Sequence, residues 1–250
     1  MEITCVIPAF ERLDLLARCL VSVCCQEDVQ VEVIVTDDSR TGAVRDFTAN
    51  LAAAFPFVRY LEGARSGNPV DNWNHGLRQA ASALLLLVHQ DEFLLDPRYL
   101  RRAVDAMATT GAAAVLGHTA VIDVTRSSRF SRVAPLASRL ARPAWFLPMV
   151  NWVGPTAAFV FRAGRQFDRT LVQLVDVEFY GRVLATGKLV TLDGICVGSL
   201  GHPGQITASI DPVASALADL RALAARTPPA VGPLQHAASR LAVTLRAWTR

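Results

Sequence analysis

Residues 1–120 alternate between short apolar runs and stretches whose apolar residues recur at helical spacing. The runs predict strands at residues 3–7, 31–35, 57–61, 83–88 and 112–116, and the stretches predict helices at residues 13–23, 43–54, 72–82 and 97–109. Strands that alternate with helices are joined by right-handed crossovers. We therefore expect an α/β fold with a mixed, mostly parallel sheet flanked by helices. In such sheets, ligands bind beyond the carboxyl ends of the strands.

The second half of the sequence continues this pattern less regularly. Strands are predicted at residues 157–161 and 189–192 and a helix at residues 177–185, whereas residues 124–156 have no clear period. Two alanine-rich helices follow at residues 213–225 and 234–247, separated by a proline-rich linker. We expect one domain over residues 1–210, with halves at 1–123 and 124–210, and a helical extension over residues 211–250.

Polar residues follow two of the predicted parallel strands. Those after the first strand are Pro8, Ala9, Phe10 and Glu11. The aromatic ring of Phe10 could form a shelf for a flat ligand, or the segment could be an ordinary turn. Asp37 and Asp38 follow the second strand, where adjacent acids could bind a nucleobase or ribose hydroxyls, or cap a helix.

A further polar group follows the buried strand at residues 83–88, and consists of His89, Gln90, Asp91 and Glu92. Acids at the mouth of a buried strand are costly unless they meet a cation, so this is a candidate divalent-metal site. Asp176 and Glu178 open a predicted helix. A carboxylate there could be a general base or a partner of the helix macrodipole.

The order and spacing of these segments resemble the inverting family 2 glycosyltransferases, which have the nucleotide-diphospho-sugar transferase (GT-A) fold. The similar segments are residues 6–12, 33–39, 72–77, 89–92 and 175–178. The sequence His89-Gln90-Asp91-Glu92 stands where the family has its DxD-type metal motif, and Val175-Asp176-Val177-Glu178 resembles its acceptor-side acidic motif. Together they are more specific than any one segment.

The resemblance implies a role for each candidate residue. Phe10 would stack on the base and Asp37 would accept a hydrogen bond from it, while Asp91 would bind Mg²⁺ or Mn²⁺ at the diphosphate. Asp176 would take the proton from an acceptor hydroxyl that attacks the anomeric carbon, with inversion. The other implied donor-binding residues are Pro8, Ala9, Glu11, Asn72 and Gln90.

The implied partners follow from this chemistry. The donor would be a nucleotide sugar, with a UDP-sugar favoured, and the acceptor a glycan, a lipid-linked molecule or a small molecule. The implied setting is the synthesis of a polysaccharide, a glycolipid or a natural-product glycan.

The sequence departs from the family pattern at several positions. Glu11 replaces the usual asparagine, and the second acidic motif has lost its glycine. His89 replaces the first acid of the metal motif, which leaves Asp91 as its main carboxylate, and Val175 replaces the first acid of the acceptor-side pair. His202 could be a second metal ligand or only a turn residue, and His89 could bind metal or face the ribose.

The net charge of +3 is an average over unlike segments. Residues 1–123 carry sixteen acids and ten bases, whereas residues 124–167 have seven arginines and residues 220–250 have five, with no acid in either. These basic segments could be solvated surface. With their interleaved tryptophans and leucines they could also contact a phosphate-bearing acceptor or a membrane. We expect peripheral membrane contact through residues 124–167 and 233–250, and no nucleic acid as a partner.

The five cysteines have no metal-ligand spacing, and no basic segment with an apolar run behind it opens the sequence. These features predict a cytoplasmic protein, at most peripheral at the inner face of the membrane. Two other functions stay open at this point. A catalytically inactive nucleotide-binding protein of the same fold would explain His89 and Val175. A nucleotidyltransferase is disfavoured because no lysine precedes Lys188.

Overall fold

The computed structural model describes residues 1–123, 130–132, 144, 147–202, 205, 210–226 and 231–248. The strands of this part of the chain are β1 (Ile3–Ala9), β2 (Val31–Asp37), β3 (Val58–Glu62), β4 (Leu84–Leu87), β5 (Glu92–Leu94), β6 (Ala114–Asp123), β7 (Phe130–Arg132), β8 (Phe159–Arg162) and β9 (Leu189–Gly201). They form one sheet in the order β3-β2-β1-β4-β8-β6-β9-β5, with β7 paired to β6.

Six of these strands run in one direction. β1 is parallel to both β2 and β4, β2 is parallel to β3, and β6 is parallel to β9. β8 joins β4 to β6 by antiparallel pairing, and β5 and β7 are also antiparallel to their neighbours. Every residue of β1 and β2 is buried, as expected for parallel strands covered on both faces. The predicted mixed, mostly parallel sheet is confirmed.

Helices cover the sheet, and their ends follow local sequence signals. The described helices are α1 (Leu13–Cys24), α2 (Ala43–Ala54), α3 (Pro69–Gln79), α4 (Tyr99–Thr110), α5 (Val175–Leu184), α6 (Pro212–Ala224) and α7 (Pro233–Trp248). The side chains of Asn68 and Asp211 cap α3 and α6, each just before a proline that suits the first helical turn. Gly111 ends α4 in the left-handed region at φ 63°.

The predicted strands and helices are confirmed in type, with shifts of a few residues at their ends. The sequence does not predict β5 or β7, or the extension of β6 and β9 to Asp123 and Gly201. These segments owe their conformation to pairing with distant strands rather than to a local pattern. The domain boundary at residue 210 stays a prediction. No helix of the described residues is both long and apolar enough to cross a bilayer.

Close packing at Gly76 sets α3 against β1 and β2. A Cβ atom at this position would lie 2.4 Å from Val6 Cγ1 and 2.7 Å from Thr36 Cγ2. Only glycine therefore allows the helix to approach the sheet this closely. The approach matters for the site because Asn72, one turn earlier on α3, reaches the end of β2.

We expect Gly76→Ala to lower the free energy of unfolding by about 1–3 kcal/mol, because overpacking outweighs the gain of ~1 kcal/mol in helix propensity. Gly181→Ala in α5 is the matched control, since a Cβ placed there would have no described atom within 4 Å apart from its chain neighbours and the backbone of its own helix. It should be neutral or stabilising. Urea unfolding followed by circular dichroism measures both, and equal effects of the two substitutions would contradict the close packing.

Candidate functional site

The carboxyl ends of β1, β2 and β4 lie side by side at one edge of the sheet. Ala9 pairs with Asp37 between β1 and β2, and the amide of Asp38 donates to the carbonyl of Ala9 at 3.1 Å. The amide of Val88, just after β4, donates to the carbonyl of Val6 at 2.9 Å. The predicted polar segments therefore meet at this edge, as the topology requires.

Phe10 presents its ring to solvent from a backbone that Gln90 holds in place. The Gln90 amide accepts from Phe10 N at 3.0 Å through Oε1 and donates to Phe10 O at 3.2 Å through Nε2. The side chain of Phe10 is 50% exposed, although large aromatic residues are usually buried. Pro8 and Ala9 are buried in β1 and contribute backbone to the same edge. The ring of Phe10 is thus exposed at this edge, and its role as a shelf for a flat ligand stays a prediction.

Glu11 joins the loop after β1 to the loop after β2. Its amide donates to Ser39 Oγ at 2.8 Å, and its carboxylate accepts from Arg40 N at 2.7 Å and from Thr41 Oγ1 at 3.2 Å. The residue has φ 59°, a conformation that is uncommon outside glycine and that these three bonds help to hold. Its carboxylate therefore serves the loop structure.

Asp37 is buried, and both of its carboxylate oxygens accept hydrogen bonds within the protein. Oδ1 accepts from Ser39 N at 2.8 Å, and Oδ2 accepts from the hydroxyl of Tyr60 at 3.1 Å. Burial, together with the charge of Asp37, raises the pKa of Tyr60 to about 12. Asp38 is half-buried and accepts from Arg65 N at 2.8 Å. The sequence does not single out Tyr60 or Arg65, because only the pairing of β3 with β2 brings them here.

Asn72 lies behind this acidic pair. Its Nδ2 donates to the carbonyl of Thr36 at 3.0 Å, while its buried Oδ1 has no hydrogen-bond partner in the described part of the chain. Gly63 fits between the two groups, since a Cβ atom there would lie 2.2 Å from Asp38 Oδ1 and 2.7 Å from Asn72 Oδ1. Backbone and side chains are therefore closely packed at the ends of β2 and β3.

Asp91 and His202 come together at the predicted metal position. Their Oδ2 and Nε2 atoms are 3.6 Å apart, and Asp91 Oδ2 also accepts from Gln205 Nε2 at 2.7 Å. Neighbouring ligands of an octahedral Mg²⁺ lie about 3 Å apart, so the pair fits one hard cation after a small adjustment. No group of three or more metal-ligating side chains occurs in the described residues. Two protein ligands are nevertheless enough where substrate phosphates and water complete the shell.

Glu92 is a buried carboxyl that anchors the loop between β4 and β5. It accepts hydrogen bonds from the amides of His89 at 2.9 Å and Ala157 at 3.1 Å, and from Thr156 Oγ1 at 3.2 Å. Burial, and next the charge of Asp91, raise its pKa to about 8. Of the two adjacent acids, Glu92 is thus structural, and Asp91 is the one that faces His202.

His89 is close enough to both the metal candidate Asp91 and the base candidate Asp176 for their charges to affect its pKa. Its ring stacks at a tilt on Trp73, with centroids 4.6 Å apart, and its Nδ1 is 3.5 Å from Thr156 Oγ1. Its buried Nε2 has no hydrogen-bond partner among the described residues. Burial lowers the pKa of His89, and the charges of Asp91 and Asp176 oppose this by raising it. The charges of both carboxylates therefore affect the pKa of the same imidazole.

Asp176 occupies the first turn of α5. Burial raises the pKa of this carboxyl above its ordinary value, against the opposing charge of His89. A raised pKa brings a carboxylate closer to the range in which it accepts protons effectively at neutral pH. The sequence predicts a base here, and the environment suits one.

Some of the predicted residues contact one another directly, and the others lie at the same edge of the sheet. Phe10 contacts Gln90, Asp91 contacts His202, and Asp37 and Asn72 bond to the ends of β2 and β3. This mixed α/β sheet, with polar residues at the carboxyl ends of its parallel strands, has the GT-A fold.

The particular family follows from comparison with known sequences. The model of glycosyl transferase family 2 matches residues 4–172, and the chain belongs to this family. The matched segment ends four residues before Asp176, so the role of this residue stays a prediction.

Two relatives share this sequence pattern. An uncharacterized protein of Mycobacterium tuberculosis, MT1568, is 32% identical over 198 residues, which cover 71% of this chain and 60% of the relative. The succinoglycan biosynthesis protein ExoO of Rhizobium meliloti is 30% identical over 149 residues, covering 58% of this chain and 41% of the relative. The chain thus spans only about half the length of these relatives.

Solved structures share the fold at low sequence identity. TarS residues 1–349 of S. aureus in complex with UDP-GlcNAc has a TM-score of 0.70 and 14% identity, covering 100% of this chain and 73% of that one. The mannosyltransferase PcManGT of Pyrobaculum calidifontis, in complex with GDP-Man and Mn²⁺, has a TM-score of 0.66 and 14% identity, covering 99% and 74%. At these identities the likeness is one of fold.

We expect Gln90→Ala to weaken the binding of UDP or GDP roughly 10-fold, because one or two lost hydrogen bonds release the backbone that presents Phe10. Isothermal titration calorimetry measures the affinity. Gln26→Ala is the matched control, since its amide bonds to Asp96 O and Leu100 N and joins α1 to α4. An equal loss of affinity in both variants would show that the effect is general destabilisation.

Proposed function

We propose that this chain transfers a sugar from a nucleotide-diphospho-sugar to an acceptor hydroxyl, with inversion at the anomeric carbon. The observation that carries the proposal is the arrangement around His89. The charges of Asp91, whose Oδ2 is 3.6 Å from His202 Nε2, and of the half-buried Asp176 both raise the pKa of this imidazole, at the edge of the sheet that also presents Phe10. A leaving-group site and a base site thus lie at one edge.

The donor half of the site is assigned to the ends of β1, β2 and β4. Phe10 stacks on the base, Asp37 accepts a hydrogen bond from it, and Gln90 fixes the shelf. Pro8, Ala9, Glu11 and Asn72 shape the surrounding backbone. A UDP-sugar is the favoured donor, supported by the TarS complexes with UDP and UDP-GlcNAc. The GDP-Man complex of PcManGT makes a GDP-sugar the competing candidate.

Asp91 and His202 are the residues assigned to a divalent cation, Mn²⁺ or Mg²⁺. Their spacing and their oxygen and nitrogen donors suit such an ion, and the Mn²⁺ in the PcManGT complex supports its use. When bound, the cation neutralises the charge that develops on the departing nucleoside diphosphate.

Asp176 is assigned as the general base. In its ionised form it accepts the proton of the acceptor hydroxyl while the oxygen attacks the anomeric carbon and the bond to the diphosphate breaks. The pair of electrons in that bond leaves with the nucleoside diphosphate. The raised pKa of Asp176 places the loss of activity at acidic pH above the range of an ordinary aspartate.

The acceptor is assigned only by class, as a glycan, a lipid-linked molecule or a small molecule. The relation to ExoO, named for succinoglycan biosynthesis, supports a role in making polysaccharide. We propose a cytoplasmic location, peripheral at the inner face of the membrane.

We expect Asp176→Asn to abolish sugar transfer, with kcat reduced at least ~100-fold, because the isosteric amide cannot accept the proton. Donor affinity should stay within about twofold, since the residue lies outside the donor half of the site. Nucleoside diphosphate release from UDP- and GDP-sugars is measured with Mn²⁺, with Mg²⁺ and with EDTA.

Asp193→Asn is the control for this substitution, because it removes an exposed carboxylate of β9. Normal turnover by Asp176→Asn would show that another group is the base. If the unmodified protein binds the donor but releases no product from any sugar nucleotide and acceptor, the inactive nucleotide-binding protein is the better assignment.

We further propose that α7 rests on an anionic lipid surface. Leu234, Leu241 and Leu245 are 88%, 62% and 57% exposed, and their spacing places them on one face of the helix. Ser239 and Val243 are buried on the opposite face. The segment 220–250 carries arginines and no acid, which suits anionic headgroups. Of the other proposed contact, residues 124–167, half of the side chains lie outside the described residues.

We expect the double substitution Leu241→Gln with Leu245→Gln to reduce flotation with vesicles of anionic phospholipid severalfold, because about 1.5–3 kcal/mol of apolar burial is lost per leucine. Neutral vesicles should bind weakly at every salt concentration. Leu95→Gln is the control, since Leu95 is an exposed leucine outside α7. Failure of the unmodified protein to float with anionic vesicles would rule out the contact.

A further inference from the structure

A buried carboxylate of the helical extension holds the start of the helix that carries Asp176. Asp219 lies in α6 and is 4% exposed. Its Oδ2 accepts hydrogen bonds from three successive amides: Val172 at 3.0 Å, Gln173 at 2.7 Å and Leu174 at 2.8 Å. Three convergent N–H groups form a concave anion site of the kind that backbone turns make.

These contacts are placed where the chain enters α5. Leu174 is the residue before the first helical residue, and its own side chain provides no cap. The carbonyl of Leu174 accepts the first hydrogen bond of the helix, from Glu178 N at 2.9 Å. Asp219 therefore fixes the residue two positions before Asp176, across 45 residues of sequence.

A second side chain of the extension holds the same region from outside. Arg226, just beyond the end of α6, pairs with Asp168 ahead of α5 and with Glu178 in its first turn, the latter at 3.4 Å. Glu178 is held in addition by Arg182 at 2.7 Å. The loop before the helix and the helix itself are thus tied to one another through residues 219–226.

The burial of the Asp219 carboxylate is stabilised by the loop before α5 and not by α6 itself. Burying a carboxylate costs several kcal/mol unless its hydrogen bonds are satisfied, and within the described part of the chain the amides that satisfy this one lie outside α6. The carboxylate of Asp211, by contrast, caps the start of its own helix α6 through Val213 N and Ala214 N. The two aspartates of the extension therefore stabilise different helix starts: Asp211 stabilises that of α6 and Asp219 that of α5.

We propose that Asp219 and Arg226 are positioning residues for Asp176, so that the helical extension forms part of the catalytic machinery. This rests on the proposed role of Asp176 as the base. The extension sets the path of residues 168–174, and through it the position of the first turn of α5. Both residues lie beyond the segment matched by the family model, which ends at residue 172.

The test is Asp219→Asn, which removes the negative charge that the three N–H groups meet and leaves only one oxygen to accept from them. We expect kcat to fall at least about 10-fold with little change in the KM of the sugar nucleotide, because small displacements of a reacting group are costly. The acidic limb of the pH profile of kcat should move to lower pH, since a loosened helix start admits water to Asp176 and relieves the burial that raises its pKa. Asp219→Glu, which keeps the charge, should restore part of kcat.

Asp211→Asn is the matched control, an equal loss of an aspartate cap in the same extension. It should lower the melting temperature without moving the pH profile. Asp219→Asn would refute the proposal if it stays folded with the kcat and acidic limb of the unmodified enzyme, or if its kcat per folded molecule equals that of Asp211→Asn.

Arg226→Gln keeps the proposal testable if Asp219→Asn does not fold. Arg226 is partly exposed, and its loss should lower kcat and shift the acidic limb in the same direction, whereas Arg221→Gln, an exposed arginine of α6, should do neither. Unchanged kinetics in Arg226→Gln would then count against the proposal. If instead Asp176→Asn itself turns over normally, the assignment of Asp176 as the base fails first. If the unmodified protein releases no product from any sugar nucleotide, the proposed function fails, and these failures are distinguished from that of the positioning role.

Discussion

The two parallel ladders on either side of β1 are the constraint on which the rest of the structure depends. Because β1 pairs with both β2 and β4 in parallel, three strand ends reach the same edge of the sheet. A slip of one residue in either ladder would turn every side chain of that strand to the other face. The fully buried sequences of β1 and β2 make such a slip costly, since both faces are packed. The packing of the apolar strands therefore fixes the position of this edge, and the polar side chains do not determine it.

Buried carboxylates then fix several loops around the sheet, and they do so mainly with backbone amides. Asp37 accepts from Ser39 N, Glu92 from His89 N and Ala157 N, and Asp219 from three amides ahead of α5. An unsatisfied buried N–H or carboxylate costs more than a made hydrogen bond gains, so each loop has one conformation that satisfies both. Asp37, Glu92 and Asp219 thus hold backbone in place, whereas Asp91 and Asp176 are the carboxylates for which a chemical role is proposed.

The sequence predicts the fold well because its signals are local. An apolar run such as residues 31–35 determines the conformation of its own residues. The capping residues and prolines at the starts of α3 and α6 likewise affect only the few residues next to them. The sequence predicts which residues lie in the site, but it does not predict which of them are buried and structural. Glu92 and Asp91 are adjacent acids in sequence, and only the pairing of β5 with β9 buries one and turns the other toward His202. The contact of Asp219 with α5 has no local signal at all, because its partners lie 45 to 47 residues away.

The departures from the family pattern are consistent with this distribution of charge. Position 89 is near Asp91, Asp176 and the buried Glu92, whose pKa is raised to about 8 by burial and next by the charge of Asp91. A histidine adds no negative charge there, and its burial favours the neutral imidazole. Val175 is buried in the apolar core, where an acid would lose its hydration, while the next residue keeps the carboxylate. Both substitutions remove an acid from a place where burial makes it costly and leave the carboxylates assigned to the cation and the acceptor proton in place. The sequence changes that raise the question of an inactive protein are therefore explained by local electrostatics, and loss of activity is not needed to account for them.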